Sequence, residues 1–448
     1  ERYITSMASV LCRLSRGLVL RAAAAASAGG CALQNRSLPC SAQQLGDYNN
    51  MDTSASLAIK VPLSLMRPIQ VPGGKEGRLL MGPGPSNCSR RVREALSLPL
   101  LGHLHPEFLQ VMDEAKDGLR YLFQTNAPIV CCISGTGHAG MEAMLTNLLE
   151  EGEIVLIAET GIWGQRAADM SRRQGLDVRV VKADPGEVLS AEQIEAALQQ
   201  HKPAVLFTVH GESSTGVLQP IHQLGDLCHR HDCLLLVDTV ASAGGVPLLM
   251  DEWKIDAIYT GTQKVLSAPP SLAPCALNHR ARDKLLSRRT PVRSYYMDIL
   301  ELANYWGCDD QKRRYHHTGP VTSVYALREA LSILTEEGLK ECWKRHSDCA
   351  AMLYEGIERI GLQLYIKNKD IRVPTVTTID VPEGVKWDAL TSYIMKKYNI
   401  EMSGGLGPTA GKVWRIGLMG ENCTPYNVQL LLGVIEEALS SDSVKSKL

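Results

Sequence analysis

Five short apolar runs, separated by helix-like stretches, constrain this 448-residue chain more than any other feature. They are "PIVCCIS", "EIVLIAE", "AVLFTVH", "CLLLVDTVAS" and "DAIYTG". Between them lie "GMEAMLTNLLEEG", closed by Gly152, and "SAEQIEAALQQH", which repeat apolar residues at helical spacing. Apolar runs of strand length that alternate with helices predict a mostly parallel sheet covered on both faces, an α/β fold. Ligands of such sheets bind beyond the carboxyl ends of the strands. Near Glu337-Gly338 the pattern changes. A long helical stretch, "LKECWKRHSDCAAMLYEGIERIG", leads to "TVTTIDVP" and "KVWRIGLMG", which predicts a smaller C-terminal α+β domain over 338–445 after a large domain over 79–337.

The two ends read as addresses. Met7 to Gly46 contains four arginines and no Asp, Glu or Lys, and Val10, Leu11, Leu14 and Leu18 share a helical face. A basic, acid-free, amphipathic start resembles a mitochondrial transit peptide, assigned to 1–50. An extended, proline-punctuated arm follows over 51–78. The C-terminal Ser446-Lys447-Leu448 is a tripeptide read by the peroxisomal import receptor. A chain begun at Met51 would lose the leader and keep the tail, so mitochondrial and peroxisomal products from two starts are expected. Lys+Arg is 47 and Asp+Glu 48, a balance that gives no electrostatic case for nucleic acid or a membrane surface. No apolar run approaches the roughly 20 residues of a membrane-spanning helix. The 13 cysteines include no C-x-x-C pair and read as reduced thiols. The densest cluster, Cys228, His229, His231 and Cys233, reads as a helix end entering a strand rather than a metal centre, since no second ligand pair has the right spacing.

Chemistry gathers where strands end. The loop after the first strand, "SGTGH", places two glycines around Thr136 ahead of a helix, a turn whose N–H groups can cradle a phosphate. The strand "CLLLVD" stops on Asp238, and 26 residues on, the next strand's loop delivers Gln263 and Lys264 to the same edge. The stretch "YTGTQKVLSAPP" offers Lys264 no acid, and a lysine without an ion-pair partner deprotonates more easily. Alone, Lys264 reads as a solvated surface lysine. Joined with Asp238 and the glycine turn, it matches the needs of pyridoxal phosphate: a lysine for the Schiff base, an acid facing the ring nitrogen, a phosphate cradle.

"LLMGPGPSN", "GIWGQRA", "HGESSTGVLQP", "LLLVDTVAS", "YTGTQKVLSAPP", "NYWGCDDQ", "YHHTGPV" and "GGLGPTAGKVWRIGL" together resemble the class V, fold-type I pyridoxal-phosphate aminotransferases, from about Leu79 to Gly420. Within that family the likeness is strongest to enzymes that move an amino group between alanine and glyoxylate, or serine and pyruvate. The resemblance implies a covalent link from Lys264 to the cofactor and pairing of Asp238 with its ring nitrogen. Trp163 and Val240 would pack on opposite ring faces, and Ser213 would bond the phenolic oxygen. Thr136, Gly137, His138 and Gln263 would hold the phosphate, and Tyr315 and Thr318 would reach the phosphate of a neighbouring subunit in a homodimer with shared sites. Arg415 would clamp the substrate carboxylate through its planar fork. No metal is implied. His316 and His317, adjacent on an extended segment, are expected to point opposite ways.

The sequence departs from the family in places. Ser271 stands where a glycine is expected, and a positive φ there would strain it. The following "LAPCALNH" is off-pattern, and "LGHLHPEF" has the look of the broader class. Phosphoserine aminotransferase chemistry, cysteine desulfuration and a non-catalytic protein that kept the fold remain the alternative readings.

Overall fold

The computed structural model describes residues 69, 71–74, 77–441 and 444. The leader, Met51 and the C-terminal tripeptide lie outside the described residues, as does most of the arm. The fold below belongs to one unit, Gln70–Leu448.

The strands in chain order are β1 (Leu79–Leu80), β2 (Ile129–Ser134), β3 (Ile154–Glu159), β4 (Asp177–Lys182), β5 (Val205–Val209), β6 (Gly211–Glu212), β7 (Val217–Leu218), β8 (Leu234–Asp238), β9 (Ala257–Tyr259), β10 (Leu272–Leu277), β11 (Val376–Asp380), β12 (Ile400–Glu401), β13 (Ser403–Gly404) and β14 (Val413–Gly417). Seven of them form the main sheet in the order β2-β10-β9-β8-β5-β3-β4. The β3, β4, β5, β8 and β9 neighbours are parallel, and only β10 runs against both of its partners. The sheet is flanked by helices that include Pro106–Phe123, Gly137–Leu148, Ile162–Arg173 and Ala191–His201. The all-apolar strands β5 and β8 are buried along their whole length, as a sheet covered on both faces requires. Ser190 and Gln193 close a reciprocal capping box at the start of the helix Ala191–His201.

The five expected strands are all in this sheet, and two more join it. Edge strand β4, "DVRVVK", is half exposed and its mixed charge hid it. Strand β10 is "LAPCAL", from the stretch that is off-pattern for the family. It contains Pro274, and a proline removes a donor from a central strand. It is tolerated because β9 ends at Tyr259, opposite Cys275, so Pro274 lies one residue beyond that ladder and uses its carbonyl to accept from the Thr260 N–H at 2.9 Å.

A smaller α+β part follows, with β11-β14-β13 antiparallel and the helices Leu339–Arg359, Trp387–Tyr398 and Pro425–Ser440 around a second apolar cluster that includes Leu353, Ile394, Trp414 and Leu431. Leu79–Leu80, at the expected start of the large domain, pair instead with Ile400–Glu401, and Met81 joins this second cluster. Among the described residues no helix is long and apolar enough to cross a membrane.

Candidate active site

The carboxyl ends of the parallel strands deliver Ser134, Glu159, Val209, Asp238 and Tyr259 to one edge of the sheet. A pocket there is lined by Gly137, His138, Trp163, Ser213, Asp238, Val240, Gln263 and Lys264, among others. Thr136 is the exposed residue at the N-cap position of the helix Gly137–Leu148, and its side chain makes no capping hydrogen bond. Gly137 must be glycine, because a Cβ there would meet Val240 Cγ2 at 2.9 Å.

Lys264 lies in the pocket with no acid in ion-pair reach among the described residues. Its Nζ donates to the Pro83 carbonyl. Burial, and then the charge of Arg415, pull its pKa down to about 8, against an opposing pull from Asp238. The turn that carries it is gripped by "GPGPS": Ser86 Oγ donates to the Lys264 carbonyl at 2.6 Å and Ser86 N–H to the Gln263 carbonyl at 2.9 Å. A Cβ on Gly84, whose φ is +103°, would meet Lys264 Nζ at 2.5 Å, so only glycine leaves the lysine its path. The left-handed residue of this turn is Ser267, with φ 53°, whose Oγ lies 3.1 Å from Ser86 Oγ. Ser271 has no positive φ, so the expected strain at that position is absent.

Asp238 is 5% exposed. Its Oδ1 accepts from Val240 N–H at 2.8 Å and its Oδ2 from Tyr259 O–H at 2.5 Å. Burial outweighs these bonds and pushes its pKa up to about 6. Three consecutive residues hold Trp163 and the start of its helix. Glu212 Oε2 accepts from Trp163 N–H at 3.2 Å, Ser213 Oγ from the indole N–H at 2.8 Å, and Ser214 Oγ from Ile162 N–H at 3.2 Å. Because the indole donates to it, Ser213 keeps its own hydroxyl proton for another acceptor. Glu212 is fully buried, and burial raises its pKa to about 7.

Arg415 on β14 is 8% exposed, and its Nε and Nη1 donate to the carbonyls of Gly404 (2.7 Å) and Ser213 (3.1 Å). No acid lies within ion-pair distance among the described residues, and Nη2 makes no hydrogen bond there. Tyr315 and Thr318 are not drawn into the pocket of their own chain. Both are exposed, and their hydroxyls face each other at 3.4 Å. His316 and His317 do not point apart as expected. A bend at His317 breaks the extended alternation and brings the two Nδ1 atoms to 2.7 Å. Among the described residues no group of side chains suits a metal ion. In the Cys228–Cys233 cluster the thiols are buried, while His229 and His231 turn to Asp256 and Glu195.

Sequence reasoning passed over Pro83, Gly84 and Ser86, Glu212 and Tyr259. Their signals were present: a doubled Gly-Pro, an acid inside "HGESSTG", and a tyrosine ending the strand before Lys264.

Residues 95–424 match the family described as "Aminotransferase class-V". The alanine–glyoxylate aminotransferase of Drosophila melanogaster is 50% identical over 392 residues, which cover 87% of this chain and 98% of that protein. The crystal structure of an alanine–glyoxylate aminotransferase from Nostoc sp. is 44% identical, with a TM-score of 0.81 over 85% of this chain and all of that one. That of a ureidoglycine–glyoxylate aminotransferase from Bacillus subtilis is 36% identical, with a TM-score of 0.80 over 85% of this chain and 97% of that one. With a lysine, a buried acid and a held tryptophan around one pocket, and this likeness along the body of the sequence, the chain belongs to the class-V aminotransferases.

Proposed function

We propose that the chain transfers the amino group of alanine to glyoxylate, giving pyruvate and glycine, with serine and pyruvate as a second donor–acceptor pair. All three relatives above are named for glyoxylate, whereas the amino donor differs between them. The observation that carries the reading is Lys264, held at a pKa of about 8 in a pocket with the unpaired acid Asp238, beside an Arg415 without an acidic partner.

Pyridoxal 5'-phosphate is the family's cofactor, and the pocket fits it. Asp238 is a buried carboxylate that lacks a counter-ion, which a protonated ring nitrogen would supply. Ser213 has a proton to give the phenolic oxygen. Trp163 and Val240 line the walls that would face the ring. The turn at Thr136–His138, with Gln263, would hold the phosphate at the start of a helix. When bound, the cofactor supplies a conjugated ring that takes up the electron pair released at the substrate's Cα.

The chain's residues do the rest. Arg415 binds the substrate carboxylate with the part of its fork not committed to Gly404 and Ser213. Lys264 Nζ, uncharged in a useful fraction near neutral pH, takes the Cα proton as general base. Asp238 holds the ring nitrogen's proton in place. The second substrate, a 2-oxo acid, docks on the same arginine, so the halves of the reaction alternate in one pocket. No cysteine lines the pocket, which weighs against the desulfurase reading.

The same reading makes the protein a homodimer. Leu98, Leu100, Leu101 and Leu104 stand exposed, as do Tyr295, Tyr296 and Tyr315, and His103 joins the two groups through a ring contact with Tyr315 at 5.5 Å. A second copy would cover this face and receive Tyr315 and Thr318. The address readings at the two ends give two destinations, the mitochondrial matrix and the peroxisome. The test of the activity is direct: alanine and glyoxylate with the loaded protein should yield pyruvate and glycine in equal amounts, and glycine formed from another donor but not from alanine would refute the choice of donor.

A further inference from the structure

The His316–His317 contact continues in both directions. His316 Nε2 lies 2.9 Å from the Tyr295 carbonyl, and His317 Nε2 lies 2.7 Å from Ser134 Oγ. For two neutral rings the order of protons in this chain follows from donor chemistry. A carbonyl only accepts, so His316 carries its proton on Nε2. A neutral His316 then has a bare Nδ1, and the proton between the rings sits on His317 Nδ1. His317 Nε2 is therefore bare, and Ser134 donates its hydroxyl to it. Rings enclose the pair: Tyr295 stacks on His316 at 4.8 Å, and Tyr296 and Tyr305 pack on His317 at 5.1 and 5.6 Å. Burial, with His316 and His103 nearby, pushes His317 down to about 4, which keeps it neutral at physiological pH.

Ser134 ends β2, two residues before the Thr136–His138 turn. Its carbonyl is held too, accepting from Tyr296 O–H at 3.2 Å. The two histidines at the middle of the chain of bonds lie between Tyr315 and Thr318 in sequence, and its other end is the Tyr295 carbonyl. We propose that His317 is a positioning residue, which through a one-way Ser134–His317–His316–Tyr295 hydrogen-bond chain ties the Tyr315–Thr318 segment to the turn that cradles the cofactor phosphate. This rests on the cofactor reading above. The chain fixes two parts of the phosphate site against each other, one serving its own pocket and one facing outward.

The test is a double-mutant cycle read as the rate of pyridoxal phosphate release into a trap, with ¹⁵N spectra of His317 in the cofactor-free protein. Ser134→Ala and His317→Phe should each speed release about fivefold, and the double variant no more than either alone. Release rates that multiply in the double variant would overturn the proposal. At pH 7 His317 should show a protonated Nδ1 and a bare Nε2, and Ser134→Ala should shift the Nε2 resonance. The opposite tautomer, an imidazolium, or an Nε2 signal indifferent to Ser134 would overturn it even if His317→Phe does not fold. Should the native protein take up no pyridoxal phosphate, the functional reading falls, while the spectra still judge the hydrogen-bond chain.

Discussion

The pocket around Lys264 and the segment Tyr315–Thr318 belong to one expected constellation, yet the fold treats them oppositely. The first is closed by its own chain. Asp238 and Arg415 are nearly inaccessible, and Lys264, Trp163 and Ser213 are held by neighbours from four separate parts of the sequence. The second stands in the open, with Tyr315 59% exposed beside a run of exposed leucines. Burial in the pocket tunes acids and bases, and there the pKa values of Lys264, Asp238 and Glu212 depart from their ordinary ranges. Exposure leaves the outward segment nothing to act on within its own chain. One region holds the reactive groups, and the other is the part that the proposed homodimer would turn toward a second copy.

Removing the base is the most severe way to probe the closed half. Lys264→Ala should lower turnover about a thousandfold while pyridoxal phosphate still binds, measured as steady-state pyruvate formation alongside cofactor content. Alanine-dependent turnover near the native rate would place the base elsewhere. Next comes the carboxylate clamp. Arg415→Ala should lower kcat/KM for alanine by about ten- to a hundredfold, with KM raised, and an unchanged kcat/KM would remove Arg415 from the site. The open half should respond more weakly. Tyr315→Phe deletes one hydroxyl and should speed cofactor release about fivefold in protein that sediments as a dimer. No change in release would leave the outward segment without a part in the site, and the contrast between the halves would lose its meaning.

The smallest effect probes the burial of the closed half through pH. Asp238 and Glu212 hold their protons more tightly in the folded chain, to about 6 and about 7 against ordinary values of 3.8 and 4.5. The stability they contribute is complete below about pH 4 and is lost as pH rises through 6 to 7. The buried His210 and His346, pushed down to about 3 and about 4, act in the other sense, losing stability as pH falls below 6.5. The thermal midpoint of the cofactor-free Asp238→Asn variant should therefore exceed that of the native chain by a few degrees at pH 7, with the difference fading toward pH 4. Equal differences at both pH values would mean that Asp238 is not a strained buried acid.

The α/β architecture was legible because buried parallel strands are written as plain apolar runs, and five of the seven are of that kind. The edge strand β4 mixes Asp, Arg and Lys with valines, since one side meets water, and β10 contains a proline that only the short length of β9 allows. Asp238 stood out because it ends an apolar run abruptly, and Lys264 because its stretch offers it no acid. Glu212 and Tyr259 did not, since their work is to hold other residues, and a partner 49 or 21 residues away leaves no local mark. The histidine pair shows the limit of periodicity most plainly. Alternation holds for an extended segment, and a single bend at His317 reverses its conclusion.

The central claim, that one pocket built on Lys264 and Asp238 passes an amino group from alanine to glyoxylate, is tested most directly by visible absorption. Protein loaded with pyridoxal phosphate should show an absorption band that bleaches when alanine is added and returns when glyoxylate follows. A band that ignores alanine, or the absence of any band in protein supplied with the cofactor, would contradict the account.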